Sequence, residues 1–217
     1  MSESLLEIEL SGESLYLLPQ KAVYRPSLKQ LILSDVHLGK GTHFRKQGLP
    51  LPHSSHLKDI DTLHFLFDKW EPMTVLILGD LFHSDYNKEW LWFKSLLLQY
   101  PYIQFILIEG NHDILEDEHY ALKNLFKTER LEDEHFIFSH HPTNENQKIN
   151  FCGHIHPGVR IEGTAKQSEK LPCFYFCKQQ FILPAFGYLT GLQILKPEAG
   201  ARCFLVAGVT VVELKKY

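Results

Sequence analysis

Hydrophobic and polar positions follow two regimes along this chain. In the first half, the unbroken apolar runs "QLILSD", "TVLILGD" and "IQFILIEGNHD" alternate with segments of helical period. Runs without polar alternation are buried on both faces, the pattern of parallel strands covered by helices. Leu57, Ile60, Leu63, His64 and Phe67 recur at helical spacing behind Ser54 or Ser55 as N-cap, with His56 and His64 decorating that helix. Asn87 can cap "KEWLWFKSLLLQY", which Pro101 closes, and Trp90, Phe93, Leu96 and Leu97 mark its core face. A short helix is predicted near Glu118 to Phe126. Residues from Gly39 to Pro52 carry Gly, Pro and basic residues without a period and read as a loop. At the start, "SLLEIEL" and "SLYLLP" alternate around Gly12 and predict a β-hairpin.

After "ERLEDE" the helical periods fade. "HFIFSHHP", "KINFCGHIHP", "LPCFYFC", "QFILPAF", "GLQILKP", "RCFLVAG" and "VTVVEL" are short strand-like runs. No Gly/Ser/Pro-rich linker separates the halves, and there is no internal repeat. The expectation is one α/β domain over residues 1–217, with two sheets stacked face to face and flanked by helices.

Composition narrows the class. At 217 residues and 44% hydrophobic, the chain can bury one large core. The acidic N-terminus does not read as a secretory signal, and no apolar run approaches the roughly 20 residues that cross a bilayer, so a cytoplasmic location without membrane contact is expected. Cys152, Cys173, Cys177 and Cys203 lack C-x-x-C pairing and read as reduced, buried thiols. A net charge of −4 argues against bulk electrostatic coating of nucleic acid but permits a local basic patch.

Thirteen histidines change the picture. Five apolar runs end in the same chemistry: Asp35/His37, Asp80/His83, Asn111/His112/Asp113, His140/His141 and His154/His156. Neighbouring parallel strands lie about 5 Å apart, so their carboxyl ends can converge on one small site. Carboxylates, imidazoles and an amide oxygen suit Mn²⁺, Fe²⁺, Zn²⁺ or Ni²⁺. Asp35, His37, Asp80, Asn111, His140, His154 and His156 are too many for one ion and about right for two. The basic residues Lys40, Arg45 and Lys46 follow the first ending; as phosphate contacts, Lys40 and Arg45 would bind the substrate, Arg45 bidentately. His53, His119 and His135 read as surface or core histidines.

"SDVHLG", "GDLFH", "GNHD", "SHHP" and "GHIH" resemble, in order and form, the five signature blocks of the calcineurin-like metallophosphoesterase superfamily. The resemblance implies a double β-sandwich with flanking helices, in four αββα layers, and a two-metal site that hydrolyses phosphate esters. By that pattern Asp35, His37 and His156 hold one metal, Asn111, His140 and His154 the second, and Asp80 bridges. "SHHP" leaves His141 as the alternative to His140. The pattern makes His112 the general acid, oriented by Asp113, and a hydroxide bridging the ions the nucleophile. Such hydrolysis asks for on the order of 20 kcal/mol of catalysis. A positioned acid supplies roughly 3 to 5 of it, so the metals carry most.

A narrower resemblance covers most of the chain. "LGKGTHFRKQGLPLP" and "LPAFGYLTG" are similar to the ligase-associated DNA damage response endonucleases of bacteria. It implies a DNA substrate, two divalent ions with Mn²⁺ first, and association with a DNA ligase, a helicase and a second nuclease. His83 stands where many relatives carry Asp, a substitution also found in double-strand-break repair nucleases. "LPAFGYLTG" itself reads as structural. The rival expectations are a small-molecule phosphodiesterase of cyclic-nucleotide type and a non-catalytic interaction module on the same fold.

Overall fold

The computed structural model describes residues 3–46, 48, 57–83, 88–143, 147–163 and 167–215, with backbone alone at 43, 45, 46 and 88. The expected caps Ser54, Ser55 and Asn87, together with His53 and His56, lie outside the described residues, as do the side chains of Arg45 and Lys46.

The N-terminal alternation folds as expected into a hairpin of β1 (Leu6–Leu10) and β2 (Glu13–Leu18). An antiparallel strand β3 (Ala22–Arg25) then leads to β4 (Gln30–Leu33). The unbroken runs become β4, β5 (Thr74–Leu78) and β6 (Gln104–Ile108), and β7 (Leu125–Thr128) completes a seven-stranded sheet in chain order. From β4 to β7 every pairing is parallel.

Among the described residues the second sheet has nine strands: β8 (Leu131–Glu132), β9 (Phe136–Phe138), β10 (Ile149–Cys152), β11 (Pro157–Glu162), β12 (Ser168–Cys177), β13 (Gln180–Ile182), β14 (Gln193–Ile194), β15 (Arg202–Ala207) and β16 (Thr210–Glu213). Around β10 it is parallel, pairing with β9 and β13.

The strand period sorts side chains between layers. Ile32, Leu76, Leu78 and Ile108 face the second sheet, where Phe136, Phe138, Phe151, Phe174, Phe181 and Phe204 meet them with no solvent exposure. Each such burial is worth roughly 1.5 to 3 kcal/mol. Leu31, Leu33, Val75, Ile77, Phe105 and Leu107 face the other way, against α2 (Leu57–Trp70) and α3 (Lys88–Gln99). On α3, Trp90, Phe93, Leu96 and Leu97 are all buried, so the expected core face is the observed one. Cys152, Cys173, Cys177 and Cys203 lie, as thiols, in a small cluster of the second sheet.

Two expectations fail. The residues read as a loop begin with helix α1 (Lys40–Lys46). It has no apolar period, and its position is set by tertiary contacts: Lys40 N–H donates to the His37 carbonyl, and the Thr42 hydroxyl donates to Glu89 of α3. The helix expected to reach Phe126 stops at Tyr120, leaving the short α4 (Asp117–Tyr120). Here the exposed edge of β6 overrides helix propensity and recruits Leu125–Thr128 as a strand. Asn124 fixes the entry, its amide donating to the carbonyls of Leu97, Tyr100 and Ile103. His64 also does more than decorate α2, since its Nδ1 lies 3.0 Å from the Tyr100 hydroxyl.

A charged clamp ties the two sheets. Arg25, almost fully buried at the end of β3, holds Glu13 bidentately at 2.9 and 2.8 Å, reaches Asp133 between β8 and β9, and lies 4.9 Å from the Phe136 ring centre. The Arg25 hydrogen bonds bring the Glu13 carboxyl from its ordinary 4.5 down to about 2. A lowered carboxylate stabilises the fold fully above its unfolded value and loses that contribution as pH falls through the folded one. Glu13→Gln is therefore expected to be less stable at neutral pH and to decline less steeply between pH 4.5 and about 2. Urea midpoints measured across that window check this, and parallel acid profiles for the two proteins would contradict it.

Candidate metal centre

All five polar endings emerge at the carboxyl ends of β4, β5, β6, β9 and β10. The β4–β5 register, Leu33 beside Ile77, continues past the strands through a bridge between Leu38 and Phe82, so the Asp35/His37 turn runs alongside Asp80 and His83. Five residues at this rim sit in the left-handed region: Asp35 (φ 53°), His37 (51°), Asp80 (51°), His154 (63°) and His156 (52°). Each costs about 1 to 3 kcal/mol and persists only where the surroundings enforce it. Here the enforcement is hydrogen bonding across the ends: Asp35 N–H to the Gly79 carbonyl at 3.1 Å and His37 N–H to the Asp80 carbonyl at 2.9 Å.

The turns aim lone pairs at one another. His37 Nε2 lies 3.4 Å from His156 Nε2, and His156 Nε2 lies 3.3 Å from Asp35 Oδ1. Asp80 presents one oxygen to each side, Oδ2 at 3.9 Å from His37 Nε2 and Oδ1 at 3.6 Å from His140 Nε2. His140 Nε2 in turn lies 3.2 Å from His154 Nδ1. Three donor groups result, Asp35/His37/His156, Asp35/Asp80/His140 and His140/His141/His154, each with its ligand atoms within 4.8 Å. They share Asp35 and His140 and so form one continuous cluster.

Protonation favours a cation over shared protons. Burial, followed by the charge of Lys40, pushes the His37 imidazolium down to about 2. Burial also lowers His154 and His141. Neutral imidazoles are the metal-binding form. His140 has its tautomer assigned by its surroundings: Nδ1 lies 3.0 Å from the Leu78 carbonyl, to which it can only donate, so Nε2 carries the lone pair. His37 Nδ1 is buried without a hydrogen-bond partner among the described residues. This donor set fits divalent cations of the Mn, Fe, Zn and Ni group.

The remaining expected residues fall around the cluster. His112 is exposed, and its backbone N–H donates to Asp80 Oδ1 at 2.9 Å, while the neighbouring Asn111 is exposed and enters none of the three donor groups. Its ring stacks on His83 with centres 5.2 Å apart and meets the edge of His37 at 5.5 Å. Asp113 differs from expectation. Its carboxylate accepts the backbone N–H groups of Leu81, Phe82 and Gly110 rather than the His112 ring, so it holds the loop and not the imidazole. Burial raises Asp113 to about 7. Lys40 is half-buried; burial lowers its pKa, and the Asp35 and Asp80 charges oppose that shift. Both histidines of "SHHP" reach the cluster. His140 is buried against Asp80, whereas His141 is exposed and packs on His154 with ring centres 4.2 Å apart.

Three glycines matter here that residue chemistry alone did not single out. A Cβ on Gly79 would lie 2.1 Å from His140 Nδ1, on Gly110 2.4 Å from Asp80 Oδ1, and on Gly153 2.4 Å from Asp35 Oδ2. Each immediately precedes an expected ligand, which is the sequence signal for them. Gly187 of "LPAFGYLTG" plays a similar part from outside. Its N–H donates to the Asp35 carbonyl at 3.1 Å, and a Cβ there would lie 2.4 Å from the Val36 carbonyl oxygen. That agrees with the structural reading of this stretch.

Comparison with known proteins gives a consistent setting. A family model described as calcineurin-like phosphoesterase matches residues 28–174. The crystal structure of Pseudomonas putida nuclease MPE superposes with a TM-score of 0.80 at 26% identity, covering 97% of this chain and 100% of that one. Yfce, a phosphoesterase from E. coli, aligns at 14% identity and a TM-score of 0.46 over 85% of this chain and 97% of its own, too distant to carry an argument. No curated protein matches the chain.

The Gly153 contact is directly testable. Gly153→Ala places a methyl against Asp35 and is expected to weaken Mn²⁺ binding by about 10- to 100-fold, measured by titration calorimetry, with the far-ultraviolet circular dichroism unchanged. Wild-type affinity in that variant would show that Asp35 takes no part in binding.

Proposed function

Since the chain belongs to the calcineurin-like phosphoesterase family and is a metal-dependent phosphoesterase, we propose that it is a DNA endonuclease of bacterial repair. The observation that carries this reading is the likeness, over 97% of this chain, to a nuclease, supported by a rim where the donor atoms of Asp35, His37, Asp80, His140, His154 and His156 cluster. In this reading Asp35, His37 and His156 would hold one ion, Asn111, His140 and His154 a second, and Asp80 would serve both. Two divalent ions, Mn²⁺ first, would supply Lewis-acid charge for the phosphoryl oxygens and an activated water near neutral pH.

The protein's own groups do the rest. His112, exposed at the mouth, protonates the departing deoxyribose oxygen. His83 stacks on that ring and restricts its swing. Asp113 positions both by bracing the Gly110 and Leu81–Phe82 backbones against each other. Lys40 and Arg45 meet the phosphate backbone, a local basic contact on an acidic protein. His141 sits at the outer edge of the second donor group, where it can contact substrate. A DNA substrate supports a cytoplasmic location, and no helix among the described residues is long and apolar enough to cross a membrane. Association with a DNA ligase, a helicase and a second nuclease belongs to the same proposal.

Incubating chelated and Mn²⁺-restored protein with single-stranded DNA, duplex DNA and bis-p-nitrophenyl phosphate tests the reading. Cleavage of DNA at internal sites, lost on chelation and recovered with Mn²⁺, is expected. Hydrolysis of the small ester alone would leave a small-molecule phosphodiesterase, and no hydrolysis at all would leave an interaction module. His112→Ala is expected to slow DNA cleavage by about 10²- to 10⁴-fold. It should affect bis-p-nitrophenyl phosphate far less, because p-nitrophenolate departs without a proton. Equal losses on both substrates would remove His112 as the acid.

A further inference from the structure

A cavity of about 420 Å³ lies beside the metal rim, within the size range of small-ligand sites. Its walls include Lys21, Lys58, Asp59, Phe186 and Tyr188. Strand direction places it on the working edge. β2 and β4 are both antiparallel to the β3 between them, so the β2 turn that carries Lys21 emerges at the same edge as Asp35. By the β3–β4 register, Val23 beside Ile32, Lys21 falls opposite Ser34, one strand spacing of about 5 Å away. Contacts close the gap: Gly187 N–H donates to the Asp35 carbonyl, and Lys21 Nζ donates to the Gly187 carbonyl at 3.4 Å. Asp59 also lines the narrower cleft that runs past His37 and Lys40, so the cavity and the rim share a wall.

Two of the cavity's polar groups, Lys21 and Asp59, are a donor and an acceptor with capacity in hand. The bond from Lys21 to Gly187 is long and uses one of three ammonium protons. Asp59 Oδ1 accepts the Tyr188 N–H at 2.9 Å, which leaves Oδ2 for a ligand. Burial lowers Lys21 to about 8 and raises Asp59 to about 6, so near neutral pH both remain charged while incompletely solvated. Tyr188 is 56% exposed, and Lys58 Nζ lies 3.9 Å from its ring centre. Lys58 covers one face of that exposed ring, and an aromatic ring joined to a cation is the pairing that takes a base by stacking and its phosphate by charge.

We propose that this cavity is a base-recognition pocket for the DNA strand being cleaved, taking an unstacked nucleobase that carries a carbonyl acceptor next to an N–H donor. Guanine and thymine have that edge; adenine and cytosine do not offer the same pair. Lys21 donates to the base carbonyl, Asp59 accepts the base N–H, and Tyr188 stacks on the ring. The inference rests on the nuclease reading, because it assigns the pocket to a nucleotide flanking the scissile phosphate.

The test uses full-length protein and four oligo-dC strands that differ at one central position: dG, dT, dA or dC. Affinity is measured by fluorescence anisotropy without metal, and cleavage positions are then mapped with Mn²⁺. Strands with dG or dT are expected to bind about tenfold tighter and to be cut at a fixed offset from that base. Asp59→Asn, which keeps the acceptor for Tyr188 but can turn the other oxygen into a donor, should abolish the preference and leave bis-p-nitrophenyl phosphate hydrolysis within about twofold. Lys21→Met should do the same by removing the donor, and Tyr188→Ala should weaken all four strands by about tenfold. Equal binding of the four strands, or a preference that survives both Asp59→Asn and Lys21→Met, would overturn the pocket and leave the nuclease reading intact. Free dGMP displacing the dG strand at equal concentration would assign the cavity to a soluble nucleotide and overturn it as well. Hydrolysis of the small ester with neither binding nor cleavage of any strand would instead sink the nuclease reading, and this assignment with it.

Discussion

The close approach of backbone to ligand at Gly79, Gly110 and Gly153 is the constraint on which the site depends. Each glycine lets one strand end lie against the side chain of another, and the donor atoms reach mutual distances of 3.2 to 3.9 Å only because no Cβ stands between. The same crowding forces Asp35, His37, Asp80, His154 and His156 into left-handed turns. Strain of this size is tolerable because the bonds that enforce it extend the parallel ladder of β4 and β5 beyond the strands themselves. Lone pairs aimed at one another add repulsion that a divalent cation removes.

Which strands carry the site is legible in the sequence for a simple reason. A parallel strand buried on both faces has no polar position until it leaves the sheet, so the first acid or imidazole marks its carboxyl end. That logic points to Asp35, Asp80, His140 and His154, which the fold brings into one donor cluster, and to Asn111, whose part in the site is proposed. It did not reveal α1, whose seven residues have no apolar period and are held by Glu89 and the His37 turn. Nor did it reveal β7, a strand because β6 has a free edge. The part played by Asp113 was hidden for a related reason. A carboxylate beside a histidine suggests a side-chain pair, while the groups it satisfies are backbone N–H donors that every sequence possesses.

The proposed ligands divide between the sheets, which has a consequence for stability. Asp35, His37, Asp80 and Asn111 come from the first sheet, and His140, His154 and His156 from the second. A cation bound across that boundary therefore acts as a fastener between layers, in series with the phenylalanine core and the Arg25 clamp. Anything that binds the docked sheets and not the separated ones stabilises the docked form by mass action. The clamp lies at the strand ends opposite the rim, since Arg25 ends β3 and β3 runs against β4. One edge of the sandwich is held by a buried guanidinium that needs no ligand, and the other by donors that do. Because the permanent fastener fixes the sheets' register, the donors can converge before any cation arrives, which keeps the cost of ordering out of the binding step.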